Sequence, residues 1–322
     1  MQKFFVQRFP VKRMAVILSL MGLASGVQAQ DDYQLGVSIP TATHGFMGGL
    51  NYWAAETEKR VEATYPNIDV IIAAAANADE QANDLQDLVA INEIDALVVL
   101  PFESDPLTQP VAQIAQTGIF ITVVDRGLAD PSIQDLYVSG DNTAFGQVAG
   151  QYFADTLQEG DNIVILRGIP TELDTERFDA FIAAIDGTGI NVLDDQYANW
   201  NRDDAYTTTQ DFLTRFPDID AIWAADDDMA EGVEAAVREA GREGDLFIFG
   251  GAGKKEVIQR IMEGDPLYPA NVSYSPAQIS TAIEVTALNL VSSTPIVGEF
   301  LLESVLITPE NAEAFYFPDS PF

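Results

Sequence analysis

Beyond residue 33, short apolar runs alternate with stretches whose apolar residues recur at helical spacing. Runs at 34–39, 68–74, 96–100, 120–125 and 136–139 form a first series of predicted strands. A second series lies at 162–166, 190–196, 221–225 and 246–250. Several are unbroken in Val, Ile and Leu, the pattern of parallel strands covered on both faces. Between them, Phe46, Leu50, Trp53 and Val61 fall near one helical face, as do Leu85, Leu88, Val89 and Ile94. Phe178, Phe181 and Ile182 align within 174–185, and Met229, Val233 and Val237 align within 228–240. Repeated strand–helix alternation specifies an α/β architecture with right-handed crossovers.

So many strands are generous for one open sheet, and the series divides near 136–141. Two apolar centres favour two doubly wound parallel-sheet lobes. A (β/α)8 barrel is the main rival on periodicity alone. No low-complexity linker, short repeat or heptad run interrupts the chain.

Composition narrows the function. The chain has 322 residues, 47% of them hydrophobic, which is enough for a sizeable core. Lys plus Arg number 16 against 50 Asp plus Glu, a balance that repels nucleic acid and anionic membrane surfaces. The same acid excess keeps a surface hydrated in brine and suggests a salt-adapted source. Residues 1–29 carry Lys3, Arg8, Lys12 and Arg13, then an apolar core over 14–24 that is too short to span a bilayer. Val27 and Ala29 supply a small-residue cleavage pattern, so 1–29 read as a signal peptide. With no cysteine, disulfides, thiol catalysis and a lipid-anchored cysteine are excluded. A freely diffusing exported protein needs an enclosed compartment, which points to a periplasm.

Catalytic constellations are scarce. His44 is the single histidine, and no G-x-S-x-G elbow is present. Gly250, Gly251, Ala252, Gly253 and Lys254 superficially suggest a phosphate loop. The required early glycine is Ile248, however, and Lys255 stands where a magnesium-binding hydroxyl belongs. Asp226, Asp227 and Asp228 point in different directions on leaving a strand, so a metal site is not expected. One of them is expected to cap the helix beginning near Met229, and another to face a ligand.

Ligands of open α/β sheets bind beyond the carboxyl ends of the strands. Those ends carry 41–46, Asp125 and Arg126, Trp200, and Asp226. An adjacent acid and base suits a polyhydroxylated ligand, the carboxylate accepting from hydroxyls and the guanidinium donating to them. Phe46 and Trp200 are placed to cover its C–H faces, although Phe46 alone reads equally well as core; a plain surface pair is the lesser alternative for Asp125–Arg126.

VSIPTATHGFMGGLNYWA (37–54), TVVDRG (122–127), TERFDAF (175–181), YANW (197–200), AADDDMAEG (224–232) and VSYSPAQI (272–279), in this order, resemble periplasmic sugar-binding proteins of the ribose-binding type. The resemblance covers essentially the whole chain beyond the leader and decides against the barrel. It implies two Rossmann-like lobes of the type I periplasmic binding fold, joined by a three-strand hinge and closing around one ligand. The lobes are expected at 30–138 plus 275–303 and at 139–274 plus 304–322, with crossings near 127–139, Tyr274 and 295–306. By position it implies contacts from His44 and Phe46, the pair Asp125 and Arg126, a cleft arginine at Arg177, an aromatic wall at Trp200, and Asp226 where Asn is common. Two departures stand out: Ala252 replaces the usual binding aspartate, and Tyr274 the hinge glutamine. Lys254 is a candidate to replace the lost polar arm, or else a surface residue at a helix start.

The resemblance implies a monomeric solute-binding component of an ABC importer. It would bind a monosaccharide or sugar alcohol without a cofactor and deliver it to a membrane permease with its ATPase. A periplasmic sensor of a sugar-like signal is compatible with the same site. A secreted carbohydrate-active enzyme would need Asp125 and Asp226 as acid and base, and Arg126 and Arg177 are expected to depress both pKa values. A sugar-responsive repressor would need a basic DNA-binding module where the leader stands.

Overall fold

The computed structural model describes residues 31–322; the leader assigned to 1–29 lies outside the described residues. Every predicted strand is present, its ends within one residue of the expectation. In chain order the first elements are β1 (Tyr33–Pro40), α1 (Gly45–Thr64), β2 (Ile68–Ala75), α2 (Ala78–Ala90), β3 (Ala96–Val99), α3 (Ser104–Ala115) and β4 (Phe120–Val124). Then come β5 (Leu136–Gly140), α4 (Asn142–Thr156), β6 (Asn162–Arg167), α5 (Glu172–Ile185), β7 (Asn191–Tyr197), α6 (Arg202–Arg215) and β8 (Ala221–Ala224). The rest are α7 (Asp227–Glu239), β9 (Phe247–Phe249), α8 (Lys255–Met262), β10 (Asn271–Val272), α9 (Gln278–Val291), β11 (Gly298–Leu302), β12 (Leu306–Ile307) and a 3₁₀ turn at Ala312–Phe315.

One sheet has the order β11-β5-β4-β3-β1-β2, and another has β7-β6-β8-β9. Pairing is parallel through β2-β1-β3-β4 and throughout the second sheet, while β10 and β12 form a short antiparallel pair. In each parallel set the strand order reverses direction once, between β1 and β3 and between β6 and β8. Contacts divide the described residues into two units. The first gathers the residues up to Pro40, Ala54–Tyr137 and Ser280–Glu299; the second gathers Thr41–Trp53, Val138–Ile279 and Phe300–Phe322.

The apolar runs become buried strands because both faces are covered. In the first unit, Leu97, Val99, Ile121 and Val123 pack with Leu85, Leu88, Leu107 and Val111 of α2 and α3. In the second, the Phe181 ring stacks on Trp223 with centroids 4.1 Å apart, and Phe153 meets Phe181, Phe247 and Phe249. The edge strand β7 is largely exposed and carries Asp194 and Asp195, which discourages pairing with another chain. Helix starts are capped by Asn77, Asp141, Thr171, Asn201 and Asp226, each accepting from an amide of the first turn.

Helices α4 and α5 approach closely at two glycines. A Cβ on Gly146 would collide with the Arg177 carbonyl oxygen, and one on Gly150 would lie 2.7 Å from the Phe181 carbonyl oxygen. Gly146→Ala is therefore expected to destabilise the fold by about 1–3 kcal/mol, read from the urea midpoint. Gly244→Ala, where a Cβ meets nothing within 4 Å, is expected to leave that midpoint unchanged.

Candidate functional site

In the first unit, the carboxyl ends of β1 and β3 are tied together by a buried glutamine. Gln81 of α2 donates to the Ser38 hydroxyl and the Leu100 carbonyl, and its oxygen accepts from the Phe102 amide at 2.7 Å. The carbonyl of Phe102 in turn accepts from Arg126. Asp125 is buried and takes a left-handed backbone, φ 61°, while Tyr137 donates to its carbonyl at 2.6 Å. The acid and base predicted at the end of β4 are thus both present, with the guanidinium turned partly toward its own unit's loop. Gln81 escaped sequence reading because a polar residue in a helix carries no signal of burial.

In the second unit, Arg177 of α5 is buried, 4% exposed. Its Nε donates to Asn142 at 2.9 Å and its Nη1 to the Ala225 carbonyl at 3.1 Å. The guanidinium carbon lies 4.1 Å from the Phe145 ring, 4.3 Å from Tyr274 and 5.4 Å from Trp200. These residues sit where the strands end. Asn142 opens the helix after β5, Ala225 follows β8, and Trp200 lies beyond β7 in a left-handed conformation, φ 54°. Gly168, after β6, gives the Trp200 indole its place, since any Cβ there would collide with that ring. Tyr274 packs against Gly140 in the same way and places its hydroxyl 3.3 Å from Ser139. Asn142 and Phe145 were not foreseen, although Asn142 stands at a strand end where a polar side chain is a signal.

The three successive aspartates have three fates. Asp226 caps α7, accepting from the Met229 amide at 2.8 Å. Asp227 is wholly buried and accepts from the amides of Gly251, Gly253 and Lys254 and from Asn271. Asp228 turns to residues ahead of β2: its Oδ2 lies 3.2 Å from the Phe46 amide and 3.5 Å from His44 Nδ1. Lys254 reaches its other oxygen at 3.0 Å and Glu231 at 2.8 Å. His44, Phe46, Arg177, Trp200, Asp226, Lys254 and Tyr274 therefore all belong to the second unit, and Asp125 and Arg126 to the first. Among the described residues, no group of three or more His, Cys, Asp and Glu could hold a metal ion.

Burial pushes Asp226 up to about 7, helped by the charge of Asp228, against the pull of the Met229 amide, His44 and Arg177. This reverses the direction expected from Arg177, because desolvation of a buried carboxylate outweighs one neighbouring cation. Asp228 goes the other way: burial opposes its charge, but His44, Lys254 and the Phe46 amide hold it down at about 2. For Lys254, burial works against the charge, and Asp228 and Glu231 outweigh it and lift the ammonium above the ordinary lysine range.

The sign of the linkage follows. A carboxyl raised in the folded state favours folding most below its unfolded value of 3.8, and this contribution is lost as pH rises through about 7. Asp226→Asn, which keeps the cap, is expected to stabilise the protein by at least about 1 kcal/mol at pH 8 and to give no gain at pH 4. Melting curves of both proteins across pH 4–9 check this, the difference between them cancelling the background of surface acids.

Residues 35–293 match a family model described as the periplasmic binding protein domain. The ribose import binding protein of Escherichia coli (strain K12) is 27% identical over 305 residues, 93% of this chain and 99% of that protein. Among solved structures, a periplasmic ABC transporter solute-binding protein from Actinobacillus succinogenes 130z, with D-allose bound, is 25% identical with a TM-score of 0.77. That alignment covers 88% of this chain and 100% of the other. The Caulobacter myo-inositol binding protein, bound to myo-inositol, is 26% identical with a TM-score of 0.77, over 88% and 95% of the two chains. Because the match runs through both units and both sets of strand ends, the chain belongs to the periplasmic binding protein domain family.

Proposed function

We propose that this protein is the solute-binding component of an ABC importer and takes a monosaccharide or sugar alcohol. The observation that carries the reading is the caged guanidinium of Arg177. Two hydrogen bonds fix the fork, aromatic faces flank it, and the capping carboxyl of Asp226 lies beside it. A planar donor held among ring faces suits a ligand with hydroxyls at its edge and C–H groups on its faces. Asp125 and Arg126 supply the same acid–base chemistry at the end of β4. The relatives bound to D-allose and myo-inositol support this ligand class.

The proposal includes hinge closure, recognition by a permease, and export through the leader at 1–29. It is a reading of binding without catalysis. Within the second unit, Asp227 is committed to four donors and Asp228 to Lys254 and the Phe46 amide, so neither supports an acid–base pair with Asp226.

Thermal shifts against D-ribose, D-allose, myo-inositol and xylitol test the reading. A ligand at a hundredfold excess over Kd is expected to stabilise the native protein by about 2.7 kcal/mol and to be recovered unchanged. Arg177→Lys is expected to weaken that ligand about tenfold or more, since a point charge cannot reproduce the fork. No shift with any polyhydroxy compound would sink the sugar reading.

A further inference from the structure

The N-terminus of α1 lacks the chemistry that usually completes a helix start. No acidic residue lies in its first turn, although the free amides and the positive end of the helix dipole favour an anion there. The structure supplies one from a distant element. Asp228, 6% exposed in α7, points one oxygen at the Phe46 amide and the His44 imidazole. Gly45 stands between those two residues, and a Cβ there would collide with the carboxylate, so only glycine permits the approach. Lys254 closes the arrangement with its ammonium on the other oxygen.

We propose that Asp228 is a positioning residue for the ligand-binding segment His44–Phe46, capping α1 from outside, and that Lys254 serves as its counter-charge rather than as a ligand contact. The inference rests on the sugar-binding reading for its consequence and on geometry for its cause. Phe46 packs at 5.9 Å from Tyr274 and 5.7 Å from Phe322, and Tyr274 in turn covers Arg177 at 4.3 Å. A slack start to α1 would therefore disturb the aromatic wall and, through it, the guanidinium cage.

The test compares four variants of the full protein: Asp228→Ala, Asp228→Asn, Lys254→Met, and Asp228→Asn combined with Lys254→Met. Hydrogen exchange in the unliganded protein reads the cap. Affinity and dissociation rate for D-allose and myo-inositol read its consequence. Asp228→Ala is expected to speed exchange of the 45–48 amides about tenfold, with α5 protection unchanged, as loss of a helix cap does. It should also weaken binding about tenfold, mostly by faster dissociation. Lys254→Met should act in the same direction, because it strands a buried carboxylate. The double variant should return to within about threefold of wild type, since an asparagine oxygen still accepts from Phe46 and no charge is stranded. A double variant as weak as Lys254→Met alone would mean that Lys254 touches the ligand and would overturn the proposal. Unchanged exchange at 45–48 in Asp228→Ala would overturn it as well. If Asp228→Ala does not fold, Lys254→Met and the double variant carry the comparison. If neither compound binds the wild type, a ligand found in the thermal screen takes their place; if that screen finds none, the sugar reading has failed, and the exchange measurement still decides the cap.

Discussion

The arrangement of the second unit depends on one requirement, that a buried guanidinium be given back what it loses with water. Arg177 receives a side-chain oxygen from Asn142, a backbone oxygen from Ala225, and the faces of Phe145, Tyr274 and Trp200. Stranding such a charge would cost several kcal/mol, so these partners must arrive together. They come from α4, the end of β8, the segment after β10 and the turn after β7, which are far apart in sequence. Glycines make the convergence possible: Gly146 lets α5 approach α4, Gly140 accommodates Tyr274, and Gly168 accommodates Trp200. A cation fixed in this way presents its remaining donors in one orientation, which is what selective recognition of hydroxyl groups requires.

The run Asp226–Asp228 shows how three like charges coexist at one strand end. Each side chain leaves in its own direction and finds separate compensation. Asp226 caps its own helix and is held near neutrality by burial; Asp227 is absorbed into the loop 250–254; Asp228 is matched by Lys254. Their divergence is why the run builds structure around a site instead of forming an ion-binding cluster. It also gives Lys254 a role in place: its ammonium bridges Asp228 and Glu231.

In the first unit a single neutral amide does comparable work. Gln81 joins the ends of β1 and β3 and, through Phe102, fixes the loop that receives Arg126. The positive φ of Asp125 belongs to the same turn and directs the acid and base that follow β4. In both units a buried hydrogen-bonding side chain thus fixes a guanidinium, Asn142 that of Arg177 directly and Gln81 that of Arg126 through Phe102.

Strand positions, the α/β class and the strand-end location of polar groups were legible in the sequence, because continuous Val, Ile and Leu runs bury on both faces whatever their neighbours. His44, Phe46, Asp125, Trp200 and Asp226 could be singled out for the same reason, as polar or aromatic residues where such runs stop, whereas Arg177, inside α5, was marked only by the family resemblance. The tertiary structure decided what those residues touch. Nothing local distinguishes Asp228 from Asp227, or marks Gln81 as buried, and the charge of Arg177 wrongly suggested an acidic Asp226. Those outcomes depend on desolvation and on partners distant in sequence, with Asp228 and Phe46 separated by 182 positions. Periodicity reports which side of an element is covered; only packing reports by what.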